Sequence, residues 1–117
     1  METISYTYFS NFSNYPQTQS TGIYKKHKIY LAGLACRYRG PAVESTTTIT
    51  NILYIPYVNR PNTLTFGTIQ FRNMLGNAIL GIKYDSNIEQ VVIYGTLYGY
   101  SETYPAITGS IIWFSPY

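Results

Sequence analysis

The stretch that decides the fold is residues 78–98, AILGIKYDSNIEQVVIYGTLY, in which two apolar runs flank Asp85-Ser86-Asn87. Both runs are rich in β-branched and aromatic residues, which fit the pleated, half-buried surface of a strand. Asp, Ser and Asn favour a tight turn because their short side chains hydrogen-bond the neighbouring backbone. The pattern therefore predicts a β-hairpin, with strands over residues 78–84 and 88–98.

The same alternation of apolar runs and turn residues continues on both sides of this hairpin. Strands are predicted over residues 63–71 and 106–114, which complete a meander, and earlier over residues 3–9, 23–31 and 46–55. Residues 32–39 either continue the second of these past a kink at Gly33 or form a strand of their own. Residues 10–22 are rich in Asn, Ser, Pro and Gly and predict a long loop or an extended arm.

Short strands at this spacing predict one architecture for the whole chain, residues 1–117. We expect a single all-β domain, an antiparallel β-sandwich of seven or eight strands of the jelly-roll or Greek-key kind. A small β-barrel is the alternative, because the sequence alternation is the same in both. Seventeen per cent of residues are aromatic, including 14 tyrosines, whereas only 11% are charged; a typical soluble domain has about 25% charged residues.

The low charge leaves tyrosine, threonine, serine and asparagine to cover the surface. Tyrosine has an apolar ring and a polar tip, so it suits surfaces that are wet at one time and buried at another. This composition favours a protein whose surface contacts partners, including further copies of itself. The alternative is a stable monomer with a tyrosine-rich surface.

Residues that carry chemistry are few and lack motif support. His27 and Cys36 are the single histidine and cysteine, and no serine lies in a nucleophile elbow. The five carboxylates form no recognisable pair for general acid–base catalysis and have no further histidine or cysteine for a metal site. We therefore predict no catalytic residues, no metal and no cofactor, and expect Cys36 to be a buried apolar residue.

One basic stretch is interleaved with tyrosines and forms a candidate site, the basic patch: Lys25, Lys26, Lys28, Arg37 and Arg39. Cations alternating with aromatic rings are typical of single-stranded nucleic-acid binding, where phosphates contact charge and bases stack on rings. Lysines of an edge strand also prevent unwanted strand pairing. The patch could therefore bind nucleic acid, face an acidic partner, or be a solvated edge.

Tyrosines near the carboxyl terminus form the second candidate site. Tyr98, Tyr100, Tyr104 and Tyr117 are predicted to contact a partner, because tyrosine is enriched in protein interfaces. The loop around Glu102 could instead stack tyrosine rings against a sugar, with the carboxylate binding its hydroxyls.

These features favour a non-enzymatic structural protein, a subunit of a larger assembly such as a virus capsid, a virion appendage or an extracellular filament. The alternatives are a carbohydrate- or receptor-binding sandwich and a small barrel that binds single-stranded nucleic acid. No basic segment followed by an apolar one opens the sequence, so we expect synthesis in a cytoplasm and, if export occurs, release in a virion or assembly. The longest apolar runs are far shorter than the ~20 residues of a membrane helix.

Overall fold

The computed structural model of the chain describes residues 1–14, 20–41, 48–62, 65–71, 77–97 and 106–117. Within these residues the protein is built from strands, with one 3-10 helix at Tyr57–Asn59. The strands are β1 (Glu2–Thr3), β2 (Thr7–Tyr8), β3 (Phe12–Asn14), β4 (Gly22–Lys26), β5 (Ile29–Tyr38), β6 (Thr48–Ile55), β7 (Thr65–Phe71), β8 (Asn77–Asp85), β9 (Gln90–Leu97) and β10 (Ala106–Phe114). Seven of these ten have five residues or more, and the other three have only two or three residues.

All strand pairs are antiparallel, in the order β1-β4-β5-β10-β7-β8-β9-β6-β2, with β3 beside β5. The strands form two sheets that pack together and do not close. The predicted β-sandwich is confirmed, and the barrel alternative is wrong. Strands β7, β8 and β9 form the predicted meander, but β10 returns to lie between β7 and β5. Three hairpin-connected strands followed by a fourth beside the first make a Greek key.

The first hairpin differs from the sequence prediction, which placed one strand over residues 23–31. The chain turns at His27-Lys28, so that Lys26 pairs with Ile29 and β5 runs unbroken through Gly33. His27 has a φ of 58°, in the left-handed region that asparagine, aspartate and histidine adopt more readily than most residues. The turn was missed because neither His nor Lys is a strong turn signal.

The amino-terminal segment links the two sheets. Residues 3–9 were predicted as one strand, but Thr3 pairs with β4 and Thr7 pairs with β6 on the other sheet. A strand that changes sheets makes a corner of a sandwich. Within the predicted loop or arm, β3 pairs with β5 and Phe12 is buried, whereas residues 15–19 lie outside the described residues.

The core lies between the sheets and receives side chains from both. Inward-facing residues of β5 alternate with outward-facing ones, as period two requires. In β6 the pairing register shifts between Asn51 and Leu53, so that consecutive residues Ile52 and Leu53 are both buried. The largest fully buried side chains are Ile23, Tyr30, Ile52, Leu53, Ile55, Leu80, Ile82, Ile93 and Ile107.

Candidate interaction surface

The sheet formed by β4, β5 and β10 has apolar side chains on both of its faces. Tyr30 on β5 and Trp113 on β10 point into the core, whereas their sequence neighbours point outward. The outward set is large and exposed: Tyr24, Ile29, Leu31, Ile112 and Phe114. We call this surface the β4–β5–β10 outer face.

Pairing register aligns the outward residues in two rows that cross the three strands. Tyr24, Leu31 and Ile112 are neighbours in the first row. Lys26, Ile29 and Phe114 are neighbours in the second row, two residues nearer the hairpin turn. Cross-strand neighbours lie about 5 Å apart, and the rows lie about 7 Å apart. Five large apolar side chains therefore form one contiguous patch.

A third row beyond the first is nearly flat, because it consists of Gly22, Gly33 and Ser110. A Cβ placed on Gly33 would have only the carbonyl oxygen of Gly22 within 4 Å, so the space above it is open. A Cβ on Gly22 would collide with the Tyr24 ring, which therefore lies back along β4. At the other side, Met1, Lys25 and Lys26 border a shallow groove of about 250 Å³ over the patch.

The basic patch of the sequence is divided by the fold. Lys26 and Lys28 lie at the β4–β5 turn, whereas Arg37 and Arg39 lie at the opposite end of β5. The ten residues of β5 separate the two groups by roughly 30 Å. The lysines thus adjoin the β4–β5–β10 outer face, and the arginines do not belong to the same cluster.

Two of these lysines have contacts within the chain. Lys25 lies 4.0 Å from a Glu2 carboxylate oxygen and 5.4 Å from the Tyr30 ring centroid. Lys28 donates from Nζ to the carbonyl oxygen of Pro116 at 3.0 Å, and its own carbonyl accepts from the Ser115 backbone N–H at 3.0 Å. The two hydrogen bonds of Lys28 hold the carboxyl-terminal residues beside the hairpin turn.

The predicted tyrosine site is only partly described. Tyr98, Tyr100 and Tyr104 lie outside the described residues. Tyr117 is exposed, and its ring centroid lies 3.4 Å from the guanidinium carbon of Arg60. The same guanidinium carbon lies 4.0 Å from the Tyr57 ring centroid. Tyr117 is therefore stacked within the chain, on an arginine that also contacts Tyr57.

On the core side of this sheet, Tyr30 and Trp113 make buried hydrogen bonds to Asn59. The Tyr30 hydroxyl donates to Asn59 Oδ1 at 3.0 Å, and Trp113 Nε1 donates to the Asn59 carbonyl oxygen at 2.8 Å. The Tyr30 and Trp113 rings stack with centroids 5.1 Å apart and planes 12° apart. Because Leu31 and Ile112 directly follow and precede these residues, the contact fixes the backbone that presents the apolar patch.

Burial raises the pKa values of two groups in or beside the described core. Burial raises the pKa of the Cys36 thiol to about 12, so the thiolate nucleophile does not form near neutral pH. Burial also raises the pKa of Tyr8 well above its usual range, although its bond to Thr21 acts in the opposite direction. The described residues contain no group of three or more His, Cys, Asp and Glu that could hold a metal ion.

Sequence reasoning missed Ile29, Leu31, Ile112 and Phe114 as surface residues. The sequence patterns indicated lysines and tyrosines as surface residues. In residues 29–36 the side chains at odd and at even positions are both mostly apolar, so the pattern does not show which of them face outward. A strand that is apolar at both odd and even positions is buried on both faces, or one of its faces is uncovered. That ambiguity was the available signal.

The described part of the chain contains no helix long and apolar enough to cross a membrane. Comparisons with known proteins give no family to which this surface could be assigned. No protein-family profile, no curated protein and no solved structure matches the chain.

Proposed function

We propose that the chain is a non-enzymatic structural protein, a subunit of a larger protein assembly such as a virus capsid, a virion appendage or an extracellular filament. The observation that carries the proposal is the contiguous apolar patch of the β4–β5–β10 outer face. The largest contiguous apolar patch of a soluble protein covers about 300–600 Å² and is often a functional site, and only patches larger than a few hundred Å² are rare in monomers.

The physical reason is the free energy of exposed apolar surface. Ile112 is 60% exposed and Ile29 is 53% exposed, and three further large apolar side chains adjoin them. Removing this area from water stabilises an interface by about 25 cal/mol for each Å². A sheet face is also a rigid platform, so little conformational entropy is lost when it binds.

The β4–β5–β10 outer face is better suited to association than the edges of the sheets are. The terminal strands β1 and β2 have two residues each and therefore offer few unpaired backbone groups to a neighbour. We accordingly assign assembly to the apolar face and give the strand edges a minor part. Two Greek keys together form a jelly roll, an architecture that is common in capsid and lectin domains. Among the described strands, β7–β10 form one Greek key.

Light scattering coupled to size-exclusion chromatography tests the proposal over a range of protein concentrations. We expect species heavier than the 13.3 kDa chain, which Ile112→Asp dissociates. Ile79→Asp is the matched control, because Ile79 is 53% exposed but lies on β8, outside the patch and two strands away from β10. A wild-type protein that stays monomeric at high micromolar concentration would refute the proposal.

A carbohydrate-binding module is the second candidate, and one cluster favours it. Tyr57 and Tyr117 are exposed and stack on Arg60, and the ring centroid of the exposed Tyr84 lies 4.9 Å from that of Tyr57. Exposed aromatic rings beside a hydrogen-bond donor can stack on a pyranose. Glycan-array binding that Tyr57→Ala and Tyr84→Ala abolish, with Tyr24→Ala as the control, would favour this candidate over the first.

A further inference from the structure

We infer that the β4–β5–β10 outer face binds the same face of a second copy, around a two-fold axis that crosses the strands between the two rows. The inference rests on the proposed function and specifies the partner and geometry of association. Neither the identity of the partner nor the arrangement follows from the existence of the patch, so each needs its own argument.

The patch has the area that a specific interface needs. Full side-chain areas of about 150–250 Å², scaled by the exposed fractions, give roughly 500 Å² for the five apolar residues. Two copies would therefore remove about 1,000 Å² of apolar surface from water, and Met1 and the Lys26 stem lie at the border of the same groove. A specific interface needs about 1,000 Å² in total. The patch is thus large enough for a self-association of moderate strength.

The two rows of the outer face are complementary to each other. A two-fold axis across the strands places the first row of one copy over the second row of the other. Leu31 then contacts Ile29 of the other copy, Ile112 contacts Phe114, and Tyr24 lies over Lys26. Aliphatic groups meet apolar groups, and each lysine meets an aromatic face, where a cation is attracted by the ring.

The positive charges of the β4–β5 turn favour the same axis. The β4–β5 turn carries Lys26, His27 and Lys28, and no carboxylate lies in either row. An axis across the strands sends His27 and Lys28 of the two copies to opposite ends of the interface, about 15 Å or more apart, beyond the Debye length of about 10 Å at 0.1 M salt, and places each Lys26 over Tyr24 of the other copy. An axis parallel to β5 would instead stack the turns at one end, roughly one sheet spacing apart. Repulsion therefore favours the axis across the strands.

The flat row of Gly22, Gly33 and Ser110 fits the same arrangement. It lies one step beyond the first row, and the axis places it beneath the hairpin turn of the other copy. The space above Gly33 is open, so the part of the turn that lies over β5 can approach closely, whereas the Tyr24 ring occupies the space above Gly22 and would contact the part over β4. A bulky residue in this row would hold the two faces apart.

Charge complementation tests the geometry. Ile112→Asp alone and Phe114→Lys alone should each weaken self-association by at least about a hundredfold, because every substitution occurs twice in a two-fold interface. Mixing these two variants should restore a dimer, since the new carboxylate of one copy would face the new ammonium of the other across the axis and the second contact would be native. Mixing Ile112→Asp with Tyr24→Lys should restore nothing. Circular dichroism and Trp113 fluorescence check that every variant is folded.

The outcomes separate this inference from the proposed function. Wild-type association that Ile112→Asp disrupts, with no rescue by Phe114→Lys, overturns the two-fold arrangement and leaves the structural role intact. Rescue by Tyr24→Lys overturns it as well, because that pairing belongs to the axis parallel to β5. A monomer that binds vesicles of phosphatidylserine through this face, with affinity falling as salt rises, overturns both the inference and the structural role; self-association should instead persist or strengthen with salt.

Discussion

The contact between Tyr30 and Asn59 predicts a measurable energetic coupling between β5 and the 3-10 helix. Asn59→Ala would leave the fully buried Tyr30 hydroxyl without its acceptor, which costs about 1–3 kcal/mol of the free energy of unfolding. Tyr30→Phe would leave Asn59 Oδ1 without its donor, at a similar cost. The double variant removes both partners together, so its loss should fall short of the sum by about 1 kcal/mol or more. Trp113 keeps its acceptor throughout, since that acceptor is the backbone carbonyl of residue 59.

Urea unfolding followed by Trp113 fluorescence measures these free energies directly. Trp113 is the single tryptophan of the chain, and its stacking on Tyr30 makes its emission sensitive to the core. Tyr24→Phe is the matched control, because Tyr24 is a tyrosine of the outer face and the loss of its hydroxyl should change stability by less than about 0.5 kcal/mol. Strictly additive losses in the double variant, or single losses no larger than the control, would refute the reasoning.

Two further predictions concern the thiol and the β8–β9 loop. The raised pKa of Cys36 means that its stabilising contribution is complete below pH 9 and is lost between pH 9 and about 12, at roughly 1.4 kcal/mol for each pH unit. Urea titrations at pH 8 and pH 10 should therefore show a steeper loss for wild type than for Cys36→Ala; equal losses would contradict the assignment. Glu89 has a φ of 54°, so Glu89→Asn should raise the free energy of unfolding by up to about 1 kcal/mol and Glu89→Val should lower it. Thermal melting compares the two, and a lower midpoint for the asparagine variant would rule out backbone strain at this residue.

Strands with local turn signals were predictable from the sequence. Asp85 illustrates why: its carboxylate accepts from the Asn87 backbone N–H at 2.9 Å, a bond encoded within three residues. A Greek-key sandwich was among the predicted architectures, but the position of β10 between β5 and β7 was not predictable, because this pairing depends on contacts across most of the chain. The break in residues 3–9 also depends on long-range contacts, since the first half of the segment pairs with β4 and the second half pairs with β6.

The candidate site was predictable only in its charged border. The lysines at the β4–β5 turn were identified, but their distance from Arg37 and Arg39 depends on a hairpin that the sequence did not signal. The apolar patch depends on register: Leu31 and Ile112 are eighty-one positions apart and become neighbours only through antiparallel pairing. The two-residue period of a strand shows which residues share a face, but it does not show which of the two faces packs against the core.

The two outer faces of the sandwich show which property of the composition bears on association. On the sheet of β6, β8 and β9, the Tyr94 ring lies against Gly81, where a Cβ would come within 2.3 Å of it, and Lys83 lies 5.0 Å from the ring centroid. Val92 beside them is fully buried. Tyr94 thus covers Gly81 on that sheet within the chain, although Ile79 on the same strand is exposed, and Tyr30 and Tyr38 lie in the core. An excess of tyrosine does not by itself require a partner.

The β4–β5–β10 outer face has no comparable cover among the described residues, and its largest exposed side chains include the aliphatic Ile29, Leu31 and Ile112. Association should therefore depend on the aliphatic rows and be insensitive to Tyr94.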